Sequence, residues 1–157
     1  MTQNSTNDGL KIALFEPDIP QNTAAVIRTC ACLGAKLEII EPCGFLLSDK
    51  RFKRVVMDYI DEKDINFYQN SNIFFKAKKD NRIILMTTKS SMSYTKFKFE
   101  KNDTILFGRE SSGVPVEVHE FVNNRLKIPI KNNTRSLNLA SSVAIILAEC
   151  LKQTKWI

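Results

Sequence analysis

Apolar residues along the chain fall into two patterns that take turns: short continuous runs, and stripes at helical spacing. The runs at 10–15 (LKIALF), 36–41 (KLEIIE), 65–68 (INFY), 82–87 (RIILMT), 104–107 (TILF) and 126–130 (LKIPI) read as strands. Helical spacing predicts helices over 23–33, 48–59, 71–78, 114–122 and 136–152. Val26, Cys30 and Leu33 share one face of the first helix, which Gly34 ends, and Pro20 suits an opening turn. Ser48 or Asp49 can cap the second helix. Leu139, Val143, Ile146, Leu147 and Cys150 make the buried stripe of the last one. Residues 89–103, where Lys96, Phe97, Lys98 and Phe99 alternate, read either as a solvated loop or as an edge strand.

Strand and helix alternate, so the expectation is a three-layer α/β domain with a largely parallel sheet. No repeat or long linker divides it. A polar, flexible N-terminus over 1–9 is expected ahead of a single domain over 10–157.

Composition narrows the setting. Apolar residues make up 43% of 157, enough to fill a core, and 25% are charged. No run approaches a bilayer span, and the N-terminus lacks the pattern of a signal peptide, so a cytoplasmic protein without membrane contact is expected. Lys and Arg exceed Asp and Glu by 23 to 17, a net +6 that suits a polyanionic partner. Cys30, Cys32, Cys43 and Cys150 make no disulfide framework in such a chain, and they read as small packed thiols. With His119 as the one histidine, no metal site is expected.

The chemistry concentrates at three strand exits, where open α/β sheets bind ligands. They are residues 20–28 (PQNTAAVIR), 107–115 (FGRESSGVP), and 128–130 (IPI) followed by 134–138 (TRSLN). Gly108 and Gly113 do not form a dinucleotide fingerprint, and no phosphate-loop Lys follows them. His119 lies in an amphipathic helix and reads as an ordinary surface or partly packed histidine. Arg28 has Ala24, Ala25, Ala31 and Cys32 as its helical neighbours. It is either an exposed arginine paired with some carboxylate, or a guanidinium presented to a phosphate or hydroxyl. Ser136 and Asn138 can each cap the last helix. Ala140, Ala144 and Ala148 form a ridge that admits a close neighbour, within the fold or across a subunit interface. Lys50, Arg51, Lys53 and Arg54, like Lys131 and Arg135, are either a solvated face or phosphate contacts.

Taken together, the three exits resemble the signature segments of the knotted SPOUT (TrmH-type) RNA ribose methyltransferases. The likeness runs through Asn22 and Arg28, then Leu106, Gly108, Glu110, Gly113 and Pro115, then Ile128, Pro129, Arg135, Ser136, Asn138 and Leu139. Residues 15–23, 40–45 and 49–51 resemble the tRNA wobble-nucleotide subgroup, and the likeness covers nearly the whole chain from Leu10. It implies S-adenosylmethionine-dependent 2′-O-methylation of the ribose of nucleotide 34, cytidine or uridine, in leucine tRNAs. It also implies a homodimer and a C-terminal trefoil knot. By position, the resemblance assigns Met86, Gly108, Ile128 and Ser136 to the cofactor, and Arg28 to catalysis. Asn22, Glu110 and Asn138 become active-site or substrate residues, and Lys50, Arg51, Arg54 and Arg135 RNA contacts. Two positions depart from the family pattern: Ala24 stands where Gly is common, and Ala148 where an aromatic is. The alternatives are a ribose methyltransferase for another RNA such as ribosomal RNA, and a catalytically silent RNA-binding module of the same fold. Retention of Asn22, Arg28, Glu110, Ser136 and Asn138 favours activity.

Overall fold

Side chains covered on both faces let a run of four or five apolar residues hold a central parallel strand. The computed structural model, which describes residues 9–59, 64–131 and 136–154 (side chains of 55–59 excepted), places six strands in one sheet. They are β1 (Lys11–Phe15), β2 (Lys36–Ile40), β3 (Ile65–Tyr68), β4 (Ile83–Met86), β5 (Thr104–Phe107) and β6 (Asn124–Leu126). Their order is β3-β2-β1-β5-β4-β6, and every pairing is parallel. The helices are α1 (Pro20–Leu33), α2 (Lys50–Tyr59), α3 (Ser71–Ala77), α4 (Val116–Phe121) and α5 (Leu139–Gln153).

Two cores result, one on each face of the sheet. On the first, Val26, Ile27 and Cys30 of α1 and Val143, Ile146 and Leu147 of α5 cover Ile12, Leu14, Leu37, Ile84 and Ile105. On the second, Phe74, Val118 and Val122 cover Ala13, Phe15, Ile40, Leu85 and Leu106. The chain leaves β1 toward β2 on one side, and β5 flanks β1 on the other. The carboxyl ends of β1, β5 and β4 therefore border the place where strand order reverses, the usual ligand crevice of such sheets.

Four local expectations are corrected. The last strand is Asn124–Leu126, not 126–130, because Pro129 has no N–H and the Lys127 N–H turns away to the Met92 carbonyl at 2.8 Å. α1 begins at Pro20, earlier than residue 23, with Pro at its first turn and no side-chain cap. α4 is shorter than 114–122, since Pro115 is extended and starts it. α5 begins at Leu139, capped by Asn138, whose Oδ1 accepts from the N–H groups of Ala140 and Ser141; Ser136 is not the cap. At α2 the Asp49 carboxylate accepts from the Arg51 N–H at 2.8 Å, which leaves Ser48 outside.

Residues 89–103 are neither a free loop nor an edge strand of the sheet. A single 3-10 turn at Tyr94–Lys96 leads into Phe97 and Phe99, whose rings meet at 5.1 Å over the first core. Gln153 of α5 holds this stretch, accepting from the Phe99 N–H at 2.8 Å and donating to the Phe97 carbonyl at 3.0 Å. The alternation thus points Phe inward and Lys96 and Lys98 outward.

The second core also contains a charge pair. Lys78 Nζ lies 2.7 Å from Glu38 Oε1, both side chains almost wholly buried, and the Tyr68 hydroxyl donates to Glu38 Oε2 at 3.1 Å. Burial, then the Glu38 charge, drives the Tyr68 pKa well above its ordinary value. Removing one member of such a pair strands the other. Glu38→Ala is expected to cost about 3–5 kcal/mol in urea unfolding, with much of it regained in Glu38→Leu/Lys78→Met. A loss below about 1 kcal/mol, the size of an exposed pair, contradicts this account.

Candidate functional site

The loops after β4, β5 and β6 open onto one cavity of about 490 Å³. Its shape depends on how tightly the β5 exit folds. The Arg109 N–H donates to the Gly113 carbonyl at 3.2 Å, and the Gly113 N–H returns to the Arg109 carbonyl at 2.8 Å. Gly113 closes that loop with a φ of 70°. Gly108 lies so near that a Cβ on it would fall 2.7 Å from the Gly113 backbone. Only hydrogen fits there.

A chain of polar side chains ties the three exits together at the rim. Asn138 Nδ2 donates to Asn22 Oδ1 at 2.9 Å, and Asn22 Nδ2 donates to Glu110 Oε2 at 3.2 Å. Glu110 Oε1 then accepts from the Asp18 N–H at 3.1 Å. Asn138 is spent at both ends, since its Oδ1 also caps α5. Arg109 bridges back to the β1 exit, 3.5 Å from Asp18 and 3.7 Å from Glu16, which itself bends with a φ of 44°. Burial opposes ionisation of Asp18. The Ser111 hydrogen bond and the Arg109 charge help outweigh it and hold the carboxyl below its usual pKa. Gly44 backs this arrangement, because a Cβ there would meet Asp18 Cβ at 2.6 Å.

Met86, Gly108, Ile128 and Ser136 all line the cavity, as do Asn22, Glu110 and Asn138. Apolar strand ends such as Leu85 and Phe107 alternate with the hydroxyls of Thr87, Ser112 and Ser142. That mixture suits a flat apolar ring system carrying a polar tail. Cys43 lies close to Glu16, Arg109 and Glu110, but burial and the carboxylates push its thiol up to about 12, so it offers no thiolate. Among the described residues, no three His, Cys, Asp or Glu side chains group as metal ligands.

Other candidates lie elsewhere. Arg28 is exposed on α1, six residues past Asn22 and therefore about 9 Å further along the helix, and does not line the cavity. Lys50, Arg51, Lys53 and Arg54 are all exposed on α2, with Arg51 only 3.9 Å from Asp49. Lys131 is exposed, and Arg135 lies outside the described residues. Lys89, Arg109 and His119 are charged or titratable cavity residues to which the sequence assigns no site role; His119 is partly packed, as its amphipathic helix suggests, and lines the cavity as well. The one available signal was that His119 sits a single turn beyond Pro115, at the end of the second strand-exit segment.

Comparison with known proteins gives four further findings. A model of the SpoU rRNA Methylase family matches residues 9–148. A tRNA (cytidine(34)-2'-O)-methyltransferase of Beijerinckia indica is 43% identical over 144 residues, covering 90% of each chain. A solved structure described as giving insight into the 2-OH methylation of C/U34 on tRNA superposes with a TM-score of 0.86 at 36% identity, covering 94% of this chain and 97% of that one. An AdoMet-bound rRNA methyltransferase from Sinorhizobium meliloti shares the fold, with a TM-score of 0.81 at 23% identity over 92% of this chain and 56% of the other.

Proposed function

The chain belongs to the SpoU rRNA methylase family, and from that premise we propose that it is a methyltransferase acting on the 2′-oxygen of the ribose of nucleotide 34 in tRNA, with S-adenosylmethionine as methyl donor. The observation that carries this reading is the convergence of three strand exits on one cavity, cross-tied through Asn138, Asn22 and Glu110. The relative from Beijerinckia indica carries the same activity in its name.

When bound, S-adenosylmethionine supplies a methyl group already activated on a sulfonium. The work left to the chain is holding, orienting and excluding water. Met86, Gly108, Ile128 and Ser136 are the residues placed to hold the cofactor. Gly108 lets two backbone segments close behind it, and the Asn138–Asn22–Glu110 chain fixes the loops before anything binds. The hydroxyl that accepts the methyl must lose its proton. A guanidinium is a poor base at its ordinary pKa, so Arg28 acts by hydrogen bonding and by stabilising negative charge on the ribose oxygen. Lys50, Arg51, Lys53 and Arg54, with Lys131 and Arg135, hold backbone phosphates.

Arg28 and the cavity rim come together if two copies of the chain pair through α1 and α5. Ala25, Ala31 and Cys32 of α1 and Ala148 of α5 are exposed, small, and close to Arg28 or on the helix that packs against α1. A homodimer of this kind would enclose Arg28 without displacing a packed core. The knot is part of the same reading. Residues 127–131 leave β6 at one edge of the sheet, residues 136–138 lead into α5, which packs on α1, and both stretches line the cavity. Among the described residues, no helix is long and apolar enough to cross a membrane, and we place the reaction on cytoplasmic leucine tRNAs.

The test uses tritiated S-adenosylmethionine with total tRNA and, separately, ribosomal RNA. Label is expected in tRNA and absent from ribosomal RNA. Label in ribosomal RNA alone moves the substrate to the other RNA class, and label in neither leaves a silent RNA-binding module.

A further inference from the structure

We infer that His119 contacts the cofactor, its imidazole Nε2 hydrogen-bonding the adenosine part of S-adenosylmethionine in the cavity. The inference rests on the cofactor reading above and adds a residue to it.

Three observations carry it. His119 lines the cavity from α4. Its Nε2 is buried and has no hydrogen-bond partner among the described residues. A buried polar atom left so is costly, and a ligand that supplies the missing partner recovers that cost. Finally, the backbone that carries the ring is held in place. The His119 N–H bonds to the Pro115 carbonyl at 3.0 Å, and its carbonyl accepts from Arg125 Nη1 at 2.8 Å. Val118 and Val122 on either side are buried in the second core.

The surroundings say which part of the cofactor the imidazole meets. Leu85 and Val114 belong to the same apolar cluster as Val118, and both also line the cavity. This is its apolar wall, whereas the hydroxyls of Ser136 and Ser142 lie on the segment leading into α5 and on α5 itself. A flat base fits against aliphatic side chains, and a charged amino-acid tail does not. A neutral imidazole nitrogen can donate or accept according to tautomer, so either polar edge of the adenosine satisfies it.

Because His119 is the chain's one histidine, a ¹⁵N-labelled sample without an affinity tag gives a single imidazole signal set. The experiment titrates wild type, His119→Phe and His119→Gln with S-adenosylhomocysteine and with methylthioadenosine, which lacks the amino-acid tail, reading affinity by calorimetry and the imidazole by NMR. Both compounds are expected to shift the Nε2 resonance. His119→Phe should weaken each by about tenfold, the worth of one hydrogen bond, and His119→Gln should restore part of it. A wild-type Nε2 signal unmoved by bound S-adenosylhomocysteine overturns the contact, and this readout stands even if His119→Phe folds poorly. An unmoved signal with methylthioadenosine bound, or a shift with S-adenosylhomocysteine only, overturns the assignment to adenosine. Wild-type protein that binds neither compound overturns the cofactor reading itself, and the inference with it.

Discussion

Arg28→Ala is expected to lower turnover on tRNA by about 10²-fold or more, the usual effect of removing a donor that faces developing charge. Affinity for S-adenosylhomocysteine should stay within about twofold, because Arg28 is not among the residues that line the cavity. Arg28 is exposed on α1, where the buried positions are Thr23, Val26, Ile27 and Cys30, so its truncation opens no core cavity. Arg28→Lys should not rescue, since an ammonium lacks the planar fork of donors. Single-turnover methylation at saturating tRNA, beside calorimetry, separates the two effects. Wild-type turnover in Arg28→Ala would make it a binding or structural residue.

Gly108→Ala should act in the opposite way, through the cofactor. The new Cβ would lie 2.7 Å from the carbonyl carbon and Cα of Gly113 and 3.0 Å from the Val114 nitrogen. Backbone atoms cannot step aside as the end of a flexible side chain can. The loop must open by some tenths of an ångström, which moves the backbone that lines the cavity. Affinity for S-adenosylhomocysteine is therefore expected to fall by about tenfold or more, while β5 and its core stay folded. Gly113→Ala is the informative control. Nothing lies within 4 Å of its Cβ, but its φ is 70°, so the cost there is conformational, about 1–2 kcal/mol. Calorimetry on both variants checks the distinction. A loss of less than about threefold in Gly108→Ala would show that the close approach does not shape the site.

The parts of the fold that could be read from the chain are those where local pattern and burial agree. β1, β2 and β5 are buried along nearly their whole length and announce themselves as continuous apolar runs. β6 does not. Asn124 and Arg125 are polar, Leu126 alone is fully buried, and the apolar run that follows is diverted by Pro129 and by the Lys127–Met92 hydrogen bond. The cap of α5 was ambiguous because Ser136 and Asn138 are both good caps, and only the backbone turn decides between them.

The site shows the same division. Its residues could be named from the resemblance of three segments, but not how they meet. Asn138 and Asn22 are 116 residues apart, and Asn22 and Glu110 are 88 apart, distances at which no periodicity speaks. The place of His119 is hidden in the sequence for a related reason. Helical spacing shows that α4 is amphipathic, but which wall its half-buried side faces depends on how Pro115 launches it from the β5 loop. Arg28 remained open between an exposed arginine and a substrate contact, and its exposure within a single chain leaves the choice to a functional measurement.

The most direct measurement is mass-spectrometric mapping of tRNA incubated with the protein and S-adenosylmethionine, digested with nucleases and read fragment by fragment. The account predicts one added methyl, on the ribose of nucleotide 34, which blocks alkaline cleavage after that nucleotide. A methyl on a base, or on the ribose of any other nucleotide, would contradict it.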